Sequence, residues 1–289
     1  MPELAEVEYF RKRWDAGLGE KIVAVRLHGE KRIFRGADVR AIRRRLVRQT
    51  LVRSTARGKQ MLFEFSGANW LGIHLGMSGN LRIEPAGFIP GKHDHLLLEQ
   101  KSRTLVFRDP RQFGRVRFHH GKDKPAWWQT SGPEIHSPEF SQNVMREFVR
   151  HHQRAPIKAV LLLQNGFPGV GNWMADEILW RARIAPRTRA GKLSAAKLAA
   201  IWRSTRFVAR ASLITIGQNF SDPPKTWLLH ERWKPGGKCP RHGTNLRRAT
   251  IGGRTTALVC ALSEMKSASS FVASSGERRV DEPWRMKPE

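Results

Sequence analysis

The chain opens Met1-Pro2-Glu3-Leu4-Ala5-Glu6-Val7-Glu8, a proline beside a carboxylate. Loss of the initiator Met1 would leave Pro2 as a terminal secondary amine. An α-amino group titrates near about 8, roughly two units below a lysine, so a useful fraction is neutral and nucleophilic at physiological pH. Next to the Glu3 carboxylate, such an amine suits attack on a sugar carbon. Proline at the first helical position with acids in the first turn is equally an ordinary helix start, so the rest of the chain has to decide between the two.

Further along, Lys59 in Ala56-Arg57-Gly58-Lys59-Gln60 precedes a strand-like run, where its ammonium can reach a phosphate or the reacting sugar. His74-Leu75-Gly76-Met77-Ser78-Gly79 runs from a strand into a glycine-rich loop with the large apolar Met77 at its tip. Asp109-Pro110-Arg111-Gln112-Phe113-Gly114 makes a second loop, in which Arg111 and Phe113 lie two apart and can project together. An apolar wedge with an arginine can replace a base removed from a duplex. The ring occupies the unstacked space and the guanidinium bonds the widowed base. Pro168-Gly169-Val170-Gly171-Asn172 lies between two helical runs, where glycines and the free N–H groups of the next helix suit a phosphate. Taken singly, the Met77 and Arg111–Phe113 loops are better explained by turn chemistry and core packing.

Cys239-Pro240-Arg241-His242 and Cys260-Ala261-Leu262-Ser263 stand where the two pairs of a zinc ribbon would stand. Cys239, His242 and Cys260 can ligate, but Ser263 is a poor fourth ligand and structural zinc sites have four. A metal-free finger is expected, with a structural zinc as the alternative and no cofactor required for catalysis.

The elements that must hold these residues divide the chain in two. Residues 3–18 have helical spacing, alternation from Ile22 reads as a strand, and 37–48 read as a basic helix. Strand-like runs at 60–65, 70–75, 94–98, 104–108 and 114–119 follow, so residues 1–121 form a mainly β domain. A polar linker spans 122–134, and 135–216 form a helical domain with helices over 138–151, 154–165, 172–182 and 193–213. An irregular segment at 217–238, a hairpin finger at 239–265 and a tail at 266–289 that need not fold complete the chain.

Fifty-two Lys and Arg against 25 Asp and Glu give a net charge of +27, beyond what solubility requires. A polyanion is implied as partner, nucleic acid first. No apolar run is long enough to span a membrane, and the N-terminus lacks the apolar core of a signal peptide. Two cysteines agree with a reducing compartment. The expectation is a cytoplasmic, nucleoid-associated monomer with no membrane partner.

In order, Pro-Glu-Leu-x-Glu-Val-Glu, the lysine before a strand, His-Leu-Gly-Met-Ser-Gly, Lys92-His93-Asp94-His95, Asp-Pro-Arg-x-Phe-Gly, Gly-Val-Gly-Asn and a final Gly-Arg-Thr-Thr resemble one family. It is the formamidopyrimidine-DNA glycosylase and endonuclease VIII family, and the likeness runs from Pro2 to about Ser263. The resemblance implies an α+β protein of two lobes, an N-terminal β-sandwich with flanking helices and a helix–two-turn–helix domain ending in a β-hairpin finger. Damaged double-stranded DNA would lie in the cleft. It further implies a bifunctional glycosylase and abasic-site lyase. Pro2 would attack C1′ and form a Schiff base, Glu3 would shuttle protons, and Lys59 would assist. His74, His93, Asn172 and Arg254 would contact phosphates, while Met77, Arg111 and Phe113 would fill the void left by the flipped nucleotide. Successive β- and δ-elimination would then cut the strand.

Departures are visible as well. Ala5 replaces a usual proline, Gln112 a frequent basic residue, Leu163 a common aspartate, and His242 and Ser263 two cysteines of the finger. The segment 217–238 is short for a base-capping loop, which leaves the preferred lesion open. Two rivals share the charge and the loops: a family member that binds lesions without excising them, and a nonspecific basic nucleic-acid-binding protein.

Overall fold

The structure is a computed structural model and describes residues 1–130 and 132–259. In the N-terminal lobe, α1 (Leu4–Arg13), β1 (Ala24–Leu27) and α2 (Val39–Leu46) precede a run of strands. These are β2 (Leu51–Arg57), β3 (Gln60–Phe65), β4 (Asn69–His74), β5 (Asn80–Pro85), β6 (Asp94–Glu99), β7 (Arg103–Arg108) and β8 (Arg115–His120). They form two antiparallel sheets, in the orders β1-β6-β7-β5 and β2-β3-β4-β8. Alternation explains the sandwich. Met61, Phe63 and Phe65 point inward from β3 and meet Leu96, Leu98, Leu105 and Phe107 of the facing sheet in one apolar core.

The second lobe is helical: α3 (Ala126–Gln129) in the connection, then α4 (Gln142–His151), α5 (Ile157–Leu161), α6 (Asn172–Ala182) and α7 (Ala195–Asn219). A hairpin of β9 (Leu246–Ile251) and β10 (Arg254–Val259) follows. Serine side chains cap α4 and α7 by accepting from Val144 N–H and Lys197 N–H. At its far end α7 closes on Phe220 in the left-handed region, whose ring lies 4.6 Å from Tyr9 and 5.7 Å from Phe10. The α+β two-lobed expectation therefore holds.

α1 serves both lobes. Leu4 and Ala5 pack into the helical core, whereas Val7, Phe10 and Trp14 pack into the sandwich. The amino terminus is thereby fixed at the junction where a cleft can form. No helix among the described residues is long and apolar enough to cross a membrane.

Several boundaries differ from the sequence expectation. β2 and β5 are additional strands, α5 occupies only Ile157–Leu161 of the expected 154–165, and α7 runs to Asn219 rather than 213. Cys260 and the tail lie outside the described residues.

Candidate active site at the junction of the lobes

Glu3 is the best-held side chain at the amino terminus. Its carboxylate accepts backbone N–H bonds from Gly171 at 2.9 Å, Trp173 at 2.9 Å and Met174 at 3.0 Å, all at the start of α6. Those groups are the unsatisfied donors of a helix N-terminus and carry its positive end. This corrects the part of the sequence expectation that gave the free N–H groups of this helix start to a phosphate, because the chain's own carboxylate already accepts from them; the Asn172 side chain is not engaged by Glu3. The glycines are required for the docking. Leu4 N–H donates to Gly169 O at 3.0 Å, and a Cβ on Gly169 (φ +89) would lie 2.8 Å from Leu4.

Behind Glu3 stands Glu6, buried, taking a bond from the Trp173 indole N–H at 2.9 Å and from Glu3 N–H at 3.2 Å. Burial, then the neighbouring Glu3 charge, push its carboxyl up to about 7. Sequence reading missed Glu6 because it looked like one more acid in a helical first turn.

Lys59 joins this group from the β2–β3 turn. Its side chain is buried, and burial lowers its pKa against the opposing pull of Glu3 and Glu6, with Arg254 adding to the lowering. The amino group of the chain is likewise lowered by burial and feels the same charges: Glu3, Glu6, Lys59 and Arg254. The terminus, two carboxylates, a lysine and the hairpin arginine thus form one electrostatic cluster, and Pro2 lies buried in it. In the chain as encoded, Met1 precedes Pro2 and makes its nitrogen an amide.

The two loops expected to probe DNA are stapled to each other. A Cβ on Gly76 (φ +65) would lie 2.3 Å from the Phe113 backbone, so only glycine lets them touch. Fully buried Asp109 supplies the staple, its carboxylate accepting from Ser78 Oγ at 2.8 Å and Gly114 N–H at 2.7 Å. Arg111 lies 5.0 Å over the Phe113 ring, and Phe113 is 40% exposed although it is a phenylalanine. Met77 is half-buried beside them. His93 sits behind the second loop, where its carbonyl accepts from Asp109 N–H at 3.0 Å.

On the other lobe, Asn172 Nδ2 donates to Thr255 O at 2.9 Å, tying the hairpin to α6, and Arg254 at its tip is exposed. Beneath them, Asp176 pairs with both Lys158 and Arg232, all three buried, and accepts from Ala257 N–H at 3.3 Å. No sequence signal joined these three, although Asp176 lies one turn after Asn172 on the same helix face.

At the finger, Cys239 Sγ lies 3.4 Å from His242 Nδ1 and accepts from the Trp180 indole N–H at 3.4 Å. Arg241 lies 4.1 Å over the Trp180 ring and donates to Trp180 O at 2.9 Å. Among the described residues no three His, Cys, Asp or Glu side chains converge as a metal would need, and Cys260 falls outside them. Cys239 and His242 alone do not make a zinc site.

Residues 1–116 match the family profile of the formamidopyrimidine-DNA glycosylase N-terminal domain, and residues 131–222 match that of its H2TH domain. The chain belongs to the formamidopyrimidine-DNA glycosylase family. Its similarity to the formamidopyrimidine-DNA glycosylase of Xanthomonas euvesicatoria pv. vesicatoria is 32% identity over 270 residues, covering 89% of this chain and 97% of that one. With the namesake from Roseiflexus sp. the identity is 35% over 209 residues, 69% of this chain and 76% of the relative. Among solved structures, Lactococcus lactis formamidopyrimidine-DNA glycosylase bound to DNA containing an abasic site matches with a TM-score of 0.78 at 26% identity, covering 88% and 96% of the two chains. The Lactococcus lactis glycosylase in complex with DNA containing an oxidized pyrimidine matches with a TM-score of 0.80 at 26% identity, covering 89% and 97%.

Proposed function

We propose that this chain is a bifunctional DNA glycosylase and abasic-site lyase that excises oxidised bases from double-stranded DNA. The observation that carries the proposal is the terminal cluster, in which buried Pro2 adjoins buried Glu3, Glu6 and Lys59, the groups whose charges the Met1 amino group feels. After Met1 is removed, the Pro2 amine attacks C1′ and displaces the damaged base. Opening of the sugar ring leaves an iminium between Pro2 and C1′. Glu3 shuttles protons in this step, with Glu6 behind it as a carboxyl that titrates near neutrality, where proton transfer in both directions is easy. The iminium acidifies the adjacent C2′–H. Loss of that proton expels the 3′ phosphate, and a second elimination expels the 5′ phosphate.

Lys59, His74, His93, Asn172 and Arg254 hold phosphates around the cleft, and Lys59, its pKa lowered by burial, assists at the sugar. Met77, Arg111 and Phe113 fill the space of the flipped nucleotide. The stacking of Arg111 over the partly exposed Phe113 ring supports this, since it holds a planar cation and an apolar wedge together on one loop. Both walls of the cleft come from a single chain, which supports a monomer as the acting unit. For the finger we favour a metal-free hairpin. The Trp180 N–H on Cys239 Sγ and the Arg241 stack on Trp180 supply anchoring of the kind a metal otherwise gives. Metal analysis of the purified chain tests this, and one equivalent of zinc would overturn it.

Sodium borohydride with abasic-site duplex tests the main proposal. A covalent adduct formed by the native chain, and absent from a chain extended at its amino terminus, supports it. Tight binding without an adduct would favour a family member that recognises lesions and leaves them in place.

A further inference from the structure

We propose that Arg35, Arg115 and Arg117 form an additional phosphate seat that extends the DNA footprint from the cleft along the outer face of β8. The proposal rests on the DNA reading above. In the antiparallel β4–β8 pair, Arg115 lies opposite His74 and Arg117 opposite Gly72. Side chains directly opposite share a face, so both arginines emerge on the His74 side of the sheet. Arg35 approaches from the segment before α2 and donates to Gly114 O at 2.7 Å, while Arg115 Nη2 lies 3.5 Å from where a Cβ on Gly36 would sit. Trp127 of α3 closes the row. Its ring covers Gly72 so closely that a Cβ there would lie 2.2 Å away, and Arg117 stacks on that ring at 5.1 Å.

Three guanidiniums therefore converge, and among the described residues none of them has a carboxylate within ion-pair distance. Asp109 is the nearest acid felt by Arg35, but its oxygens are already engaged by Ser78 and Gly114. Arg115 Nε is buried with no hydrogen-bond partner. Burial first, and the Arg115 charge next, lower the pKa of both Arg35 and Arg117. A cluster of like charges without a counter-ion is a cost in the free protein that an incoming anion removes, and planar forked donors fit phosphate best.

The neighbouring histidine cannot supply that charge. His74 Nδ1 accepts from Gly76 N–H at 3.0 Å, so its proton sits on Nε2. Burial, Lys59, Arg117 and Arg35 bring its pKa down to about 4. His74 is thus a neutral donor at the cleft edge, and the arginines beyond it carry the electrostatic attraction. Lys59, His74 and Arg115 cross one end of the sheet from β3 over β4 to β8, and Arg117 continues along the edge strand β8, an extended row that fits the backbone of a duplex better than a single small anion.

The test is the salt dependence of affinity for a duplex carrying a tetrahydrofuran abasic analogue. It compares the native chain with Arg115→Gln/Arg117→Gln, with Arg115→Lys/Arg117→Lys, and with Arg146→Gln/Arg150→Gln on exposed α4. The slope of log K against log salt should become shallower by about one for each arginine that holds a phosphate, about two for the glutamine pair. The lysine pair, which keeps the charge, should retain most of the slope, and the α4 pair should match the native chain. A glutamine pair whose slope equals that of the α4 pair overturns the seat. A slope that changes as stated, in a chain that forms no borohydride adduct, would keep the seat and remove the enzymatic reading.

Discussion

Glu3 and Gly171 meet so closely that a Cβ on Gly171 would lie 2.2 Å from the Glu3 carboxyl carbon. The start of α6 is therefore built around one side chain of the amino terminus, and the position of Pro2, the proposed nucleophile, depends on a helix in the other lobe.

Gly171→Ala should force that contact apart. Overpacking of a tight site costs about 1–3 kcal/mol, and the displaced terminus should lose borohydride trapping by on the order of 100-fold or more, since small misplacements of reacting groups are that expensive. Single-turnover trapping beside urea unfolding measures both. An alanine variant that traps at the native rate would separate Glu3 docking from catalysis.

Glu6 makes stability depend on pH. Its folded pKa is raised from 4.5 to about 7, so the folded state holds the proton more tightly than the unfolded one. Its contribution is fully present below about pH 4.5 and is lost as pH rises through about 7, a change on the order of 3 kcal/mol. Glu6→Gln keeps the shape and removes the titration. The unfolding free energy of the variant relative to the native chain should therefore increase between pH 5 and pH 8. Parallel pH profiles for the two chains would refute the assignment.

Phe113→Ala should leave unfolding unchanged to within about 0.5 kcal/mol, because the ring is exposed, yet reduce the preference for abasic over intact duplex. Asp109→Asn should weaken abasic-duplex binding by roughly 10- to 100-fold, the worth of hydrogen bonds to a charged acceptor. Competition binding with the two duplexes distinguishes these outcomes. Equal losses on intact and abasic DNA in Phe113→Ala would contradict void filling.

Asp176→Ala should be the most destabilising single change near the finger. It strands Lys158 and Arg232, both buried, without their shared counter-ion. Removing one partner of a buried ion pair costs about 3–5 kcal/mol. A urea midpoint close to the native value would show that water reaches the two cations.

The loops proposed to meet DNA were legible in the sequence because their glycines, prolines and projecting side chains are local features. Arg111 and Phe113 project together from their loop, the guanidinium stacked over the ring, and the finger hairpin turns at Gly252-Gly253. What stayed hidden has physical reasons. β2 and β5 are edge strands carrying Arg53, Arg57, Arg82 and Glu84, so their alternation is diluted by charge. The start of α6 has the sequence of a phosphate cradle, and only the fold reveals that Glu3, far away in the chain, fills it. Nothing local marks Glu6, Asp109 and Asp176 as buried, since burial of a charge is decided by partners from distant segments. The three arginines near β8 were lost in a chain of net charge +27.

The most direct test of the central claim is the mass of the borohydride-reduced complex with abasic duplex, followed by peptide mapping. One nucleotide-bearing fragment attached at the Pro2 nitrogen is expected in chains that have lost Met1, and none in chains that keep it. An adduct on Lys59 or another lysine, or an adduct in chains that retain Met1, would contradict it.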